Sequence, residues 1–276
     1  MIKKFMAFIL CLLLTLSLMA CSGGKTQTSS TTEETELPNS VPIELEQSDK
    51  NINSEDEAVN VQRYAVGDII LADGSVATED LTVIDSGNLP IAVIAGFTDD
   101  GTAFGVGVHR SDTPLQWAPD GTVGYGAEFA DIICTQDTAA TFSGDTDGSD
   151  NWDVILSDDA GGAADAAKNY PAFHFVNTYA QTYNLQGSYA SGWYMPSIAE
   201  LSCVYENSEA VNTSLQKIYE LNNSAAMNGL DTNWYWSSSQ AEAENDYAWF
   251  IHFFNGYAGE CPKNFTNVHA LAVRTF

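Results

Sequence analysis

The seven residues Ala248 to Phe254 (AWFIHFF) constrain this chain more than any other stretch. If extended, the run sends successive side chains to opposite faces. Trp249, Ile251 and Phe253 then share one face, and Phe250, His252 and Phe254 share the other. One aromatic face can close a core; the second needs either another layer of protein or a partner. Aromatics on a rigid scaffold give large contact area at little entropic cost, as binding surfaces require. Strands buried on both faces are also common. Periodicity alone leaves both readings open.

The start of the chain reads as a targeting segment. Lys3 and Lys4 precede an apolar run, Phe5 to Leu18, too short and too early for a membrane span. It ends in Leu18-Met19-Ala20-Cys21, which resembles the lipobox of bacterial lipoproteins. That resemblance implies a signal peptide over 1–20, cleavage before Cys21, and acylation of Cys21. Each acyl CH₂ buried in lipid contributes about 0.8 kcal/mol, so several chains anchor stably. The expected location is the cell surface, lipid-anchored at the outer membrane. Residues 21–60 are rich in Ser, Thr, Glu, Gln and Asn and nearly free of aromatics. Such a composition does not offset the entropy of ordering and reads as a tether, with a reach of about 35 Å.

Residues 61–276 form the expected folded domain, with enough aromatic and β-branched side chains for a sizeable core. It holds 6 basic and 28 acidic residues, a net charge near −22. Binding to nucleic acid through counterion release needs the opposite sign, and an anionic membrane surface would repel it. The expected partner is a protein or glycan, with membrane contact through the lipid anchor only. The domain is read as a monomer. Beyond Cys11 and Cys21, the cysteines are Cys134, Cys203 and Cys261. These allow at most one disulfide and fit no zinc spacing, so they read as small buried thiols.

Tyr64 to Val76 reads as two strands around an Ala72-Asp73-Gly74 turn; Leu89 to Ala95 and Ala103 to His109 read as further strands. Gly144 to Asp153 (GDTDGSDNWD) clusters acids around glycine. An EF-hand loop from Asp145 would require Glu where Leu156 stands, so a solvated acidic turn is favoured over a calcium loop. Asp165 to Tyr183 reads as helix with Phe173, Val176, Tyr179, Ala180 and Tyr183 facing the core. Ser197 and Glu200 have capping-box spacing before Leu201, Val204 and Tyr205. Another helix is expected over Glu209 to Leu221, and a loop over Asn222 to Asn233.

The order of GWYMPSIAEL (192–201), WYWSSSQ (234–240), AWFIHFFNG (248–256) and a closing Ala272-Val273-Arg274 resembles the C-type-lectin-like fold, an α+β architecture of short, largely antiparallel strands with two helical zones. The branch is the one that includes formylglycine-generating enzymes. Within it the chain resembles the variable proteins of diversity-generating retroelements, closest to the treponemal kind. In that family a reverse transcriptase rewrites adenines, turning AAY codons into NNY codons, which cannot encode Glu, Gln, Lys, Met or Trp. Gln240, Glu242, Glu244, Trp249, Glu260 and Lys263 are then excluded from diversification. The resemblance implies a variable region over 231–276 whose binding face is Asp246, Tyr247, Phe250, His252, Phe254, Asn255, Tyr257, Phe265, Thr266, Asn267, His269 and Leu271. Trp249, Ile251, Phe253 and Val268 then read as core, and Asn267, His269 and Leu271 as outward. The expected function is ligand binding without catalysis, cofactor or metal. The competing readings are an undiversified adhesin or structural lipoprotein of the same fold, and an enzyme of the formylglycine-generating type. The latter uses paired cysteines, where this C-terminal segment has Cys261 alone. His252 and His269 would make only two of the ligands a metal site needs. The Glu-Pro-Asn, Gln-Pro-Asp and Trp-Asn-Asp triplets of calcium-dependent sugar binding are missing from the sequence.

Overall fold

The computed structural model describes residues 64–222, 226–230 and 232–276. The expected signal peptide over 1–20, acylation site at Cys21 and tether over 21–60 fall outside the described residues. Two five-stranded sheets carry the fold. The first is built from β1 (Ile69–Leu71), β2 (Val76–Ala77), β3 (Pro90–Phe97), β4 (Ala103–Arg110) and the final strand β10 (Leu271–Thr275), in the order β10-β4-β3-β1-β2. The second is built from β5 (Ile133–Gln136), β6 (Phe142–Gly144), β7 (Trp234–Ala241), β8 (Tyr247–His252) and β9 (Tyr257–Pro262), in the order β6-β5-β7-β8-β9. All pairs are antiparallel except β5 with β7. The fold class is therefore α+β with two largely antiparallel sheets. The hairpin turn expected around Gly74 is present, with φ +87° at that glycine, and joins β1 to β2.

Eight α-helices lie among the described residues: α1 (Val123–Gly126), α2 (Asn151–Asp158), α3 (Ala160–Ala163), α4 (Ala166–Asn169), α5 (Pro171–Asn177), α6 (Tyr179–Thr182), α7 (Ile198–Glu206) and α8 (Ser208–Leu221). The single helix expected over 165–183 is in fact three short ones, α4 to α6. Pro171 disfavours helical geometry at Tyr170, which sits at φ −142°, ψ 61°. A second break falls at Thr178, whose hydroxyl donates back to the His174 carbonyl at 2.7 Å. The apolar stripe survives both breaks, with Phe173, Val176, Tyr179 and Ala180 buried. The acidic stretch ends in a helix as well as a turn, because Asn151 to Asp158 form α2.

The capping box at Ser197 forms as its spacing predicts: the Ser197 N–H donates to Glu200 Oε2 at 2.8 Å, and the Glu200 N–H donates to Ser197 Oγ at 3.2 Å. This fixes the start of α7, and Val211, Leu215 and Ile218 bury one face of α8. Both helices pack with Val93, Phe104 and Val106 of the first sheet and Tyr235, Trp249 and Ile251 of the second. The opposite faces close a second core around Trp117, Tyr170, Phe173, Tyr179, Trp193, Trp236 and Phe250.

The serines of β7 are buried because they tie the sheet to its neighbours. Ser239 Oγ accepts from the Ile198 N–H at 3.0 Å, Ser238 Oγ accepts from Asn151 Nδ2 at 2.8 Å, and the Ser238 N–H donates to the Pro196 carbonyl at 2.8 Å. Larger residues there would fill the space these bonds cross.

Candidate ligand-binding face

β8 and β9 form a hairpin whose turn spans residues 253–256, with His252 opposite Tyr257. Gly256 adopts φ +69°, and a Cβ there would collide with the ring of Tyr205, so this turn position requires glycine. Phe253 turns inward, edge-on to Tyr205 and Tyr235 at 5.4 and 5.0 Å. Its neighbour Phe254 turns outward and is 73% exposed, and Tyr257 is 60% exposed. The period-two alternation of β8 thus continues into the turn and sets Phe254 in solvent, while the register that pairs Tyr257 with His252 sets a second ring there.

Trp234 opens β7 directly opposite His252. Its indole stacks on Phe250 (4.8 Å between centroids, planes 4° apart) and on Phe265 (5.8 Å, 28°), with His252 tilted beside it at 5.1 Å. His252 in turn meets Phe254 at 6.0 Å, and Phe250 meets Tyr257 at 6.1 Å. The result is one connected set of rings running from the half-buried Trp234 to the exposed hairpin tip. Thr266 and Asn267 are exposed next to Phe265, and Asn255 is exposed in the turn.

Three residues expected on the outward face are buried. Phe250 is 3% exposed, because Trp234, Tyr257 and the core around it cover its ring. β8 is therefore buried on both faces over its length, and only its tip is displayed. Leu271 is fully buried: it pairs with Arg110 in the first sheet and packs toward α7 and α8. His269 is 8% exposed, its Nδ1 donating to the Ser111 carbonyl at 2.8 Å, while its backbone is held by Trp234 and Trp236. The expected in/out split of residues 267–272 holds at the exposed Asn267 and at buried Val268, Ala270 and Ala272, and fails at His269 and Leu271, where the chain is covered on both sides. Ala270 and Ala272 face one core, and Leu271 and Val273 the other.

Asp246 and Tyr247 lie at the far end of the hairpin, where Tyr247 pairs with Pro262. At about 3.3 Å per residue, that is roughly 16 Å from the tip. Asp246 accepts a hydrogen bond from Tyr125 and its carbonyl accepts one from the Lys263 N–H at 2.7 Å. Both residues are half-buried and stand apart from the tip cluster.

The base of the hairpin is pinned by Lys263, which is fully buried. Its ammonium donates to the Gly124 carbonyl (3.0 Å), the Ala127 carbonyl (3.1 Å) and Gln240 Oε1 (3.2 Å), and lies over the rings of Trp117 and Phe129. Burial pushes the amine down to about 7, against the opposing pull of Asp246. Three acceptors match the three donors of an ammonium, and two ring faces favour its charge. Lys263 and Gln240, both outside the reach of NNY codons, thus form one cross-link from β7 through the end of β9 to α1.

Sequence reasoning missed Trp234 as the centre of the cluster, although its place opposite His252 was implied by two strands joined by a short turn. It also missed Lys263 as a buried pin; the signal was a lone cation amid aromatic segments. No group of three or more His, Cys, Asp or Glu residues placed to hold a metal occurs among the described residues. Among the described residues Cys134, Cys203 and Cys261 are free thiols. Burial pushes Cys134 up to about 11 and raises Cys203 and Cys261 as well, away from thiolate reactivity.

Residues 108–274 match the model of the Lcl C-terminal domain, more than half of the chain. The chain belongs to the Lcl C-terminal domain family. That domain is the variable-region domain of proteins targeted by diversity-generating retroelements, and the match supports a variable protein of that type. The match spans β7 to β9 and the whole aromatic cluster, so the Lcl C-terminal domain contains both the pin and the tip. Among solved structures, the chain is similar to a fimbrial protein from Bacteroides ovatus, with 15% identity and a TM-score of 0.52 over 77% of this chain. The alignment covers 49% of that protein, so this chain spans about half its length. No curated protein matches the sequence.

Proposed function

We propose that this chain is a non-catalytic, lipid-anchored surface protein that binds a protein or glycan ligand through the aromatic hairpin tip. The observation that carries the reading is the connected ring set Trp234, Phe250, His252, Phe254 and Tyr257, with its last two members exposed on an antiparallel scaffold. An exposed apolar cluster on such a scaffold marks an interaction site, and aromatic residues concentrate binding energy. The diversified positions of this reading are His252, Phe254, Asn255, Tyr257, Phe265, Thr266 and Asn267, all reachable by NNY codons. Trp234 and Lys263, which are not, serve as fixed platform and pin.

The finer reading is a C-type-lectin-like domain akin to the treponemal variable lipoprotein, displayed from the outer membrane through Cys21 and its tether. The order of GWYMPSIAEL, WYWSSSQ and AWFIHFFNG supports it, as does the Leu18-Met19-Ala20-Cys21 sequence. An undiversified adhesin of the same fold is the second reading, favoured by the structural likeness to a fimbrial protein. The DNA downstream of the gene separates the two. A near-copy of the 3′ end differing only at adenines, beside a reverse-transcriptase gene, is expected; a downstream region without one overturns diversification. For the anchor, Cys21→Ala is expected to abolish labelling by a palmitate analogue, and labelling of that variant would refute it.

A further inference from the structure

A cleft of about 1180 Å³ opens between the end of β4, the segment after α6 and the end of α8. None of the described residues after Asn233 lines it, so none of the rings of the hairpin cluster belongs to its walls. Among the described residues that line it, Asp112 is the one carboxylate and Arg110 the one Lys or Arg.

The geometry of the wall follows from the end of β4. Ser111 points inward, 2% exposed, its hydroxyl accepting from the Ala270 N–H at 3.0 Å. Arg110 and Asp112, on either side of it in the chain, both line the cleft. Arg110 is under-used: its one hydrogen bond among the described residues runs from Nη1 to the Gly229 carbonyl at 3.5 Å, and its Nε is buried without a partner. A guanidinium has five donors in a planar fork suited to a carboxylate, and leaving them unmade is costly. Next to it, the His109 imidazole lies flat on the Tyr183 ring, 3.8 Å between centroids and 7° from parallel, and both rings line the cleft. Cavities of this scale with a few convergent polar groups are where small ligands bind.

We propose that this cleft is a second ligand site, which takes a small amphoteric molecule with a ring body, the simplest being an aromatic amino acid. The carboxylate sits on the Arg110 guanidinium, the ammonium on Asp112, and the ring against the His109–Tyr183 stack. The charged pair selects for both ends of the ligand, because an anion alone meets Asp112 and a cation alone meets Arg110.

Met227 lines the cleft and Met195 lies in the core away from it, so methyl-labelled methionine in the full chain reports on the site with an internal control. L-phenylalanine is expected to shift the Met227 methyl resonance saturably and leave Met195 in place. N-acetyl-L-phenylalanine and L-phenylalaninamide, each lacking one charge, are expected to bind more weakly. Arg110→Gln should weaken L-phenylalanine at least about tenfold, the loss of one charge-assisted pair. Asp112→Asn, at an exposed position that does not bear on folding, should restore N-acetyl-L-phenylalanine relative to L-phenylalanine. No Met227 shift at millimolar L-phenylalanine, equal binding of all three probes, or undiminished binding in both variants would overturn the proposal.

Discussion

The indole of Trp234 and the ring of Phe250 lie parallel, 4.8 Å apart, on neighbouring strands β7 and β8. That contact decides where the core ends. Phe250 lies beneath Trp234 and Tyr257, sealed from solvent, while His252 and Phe254 continue the same side of the hairpin into the open. Scaffold and display surface are therefore successive positions along one strand face, not opposite faces of one strand.

Trp249→Ala and Phe250→Ala are accordingly expected to destabilise the domain by similar amounts, roughly 3–5 kcal/mol each, the range for a large buried aromatic. Trp249 also loses its indole hydrogen bond to the Cys134 carbonyl, 2.9 Å long. Denaturant melts of the two variants check this. A near-neutral Phe250→Ala would place its ring in solvent.

Phe254→Ala and Tyr257→Ala, at exposed rings, should each change unfolding free energy by no more than about 0.5 kcal/mol, as surface substitutions do. The same melts measure it, and a loss comparable to that of Phe250→Ala would make the tip part of the core.

Lys263→Met keeps the length of the side chain but removes all three donors. The Gly124 and Ala127 carbonyls then lose a buried partner, and a destabilisation of about 2 kcal/mol is expected. Lower hydrogen-exchange protection at Phe129, whose N–H bonds Gln240 Oε1 at 3.1 Å, would localise the effect.

His109 should show a pH signature. Burial against Tyr183 lowers its pKa to about 4, with Asp112 pulling the other way. The unfolded chain, with an ordinary value near 6.5, then binds the proton more readily than the folded chain does. Its contribution to stability is present above pH 6.5 and is lost as pH falls from 6.5 toward 4. Carboxylates titrate in the same window, so the difference between the native chain and His109→Phe isolates the histidine. NMR titration of the imidazole near pH 6.5 rather than well below it would contradict the burial account.

Much of this was legible in the sequence. The capping box at Ser197, the apolar stripe of α8 and the turn at Gly74 were visible because each depends on residues a few positions apart. Alternation grouped Trp249, Ile251 and Phe253 on one face, and the codon exclusion of Trp249 implied by the resemblance picked that face as core. The errors are long-range. Nothing near Leu271 or His269 in the chain announces that β10 pairs with β4 on one edge and bridges to Tyr194 on the other, or that a core cluster lies against each of its faces. Nor does local pattern show that Trp234 caps Phe250, since that depends on register across β7 and β8. Pro171 was visible but its effect was underweighted: a residue before proline resists the helix even where the apolar stripe runs on.

The most direct test of the central claim is a library of the full chain with NNY codons at 252, 254, 255, 257, 266 and 267, panned on immobilised hen lysozyme. Melting temperature and lysozyme affinity would be measured for each enriched clone and for its reversion to the natural residues. The account predicts clones that bind through these positions, lose binding on reversion, and melt within about 3 °C of the parent, equivalent to about 1 kcal/mol for a domain of this size. Binding that survives reversion, or tip variants that melt as early as Phe250→Ala, would contradict it.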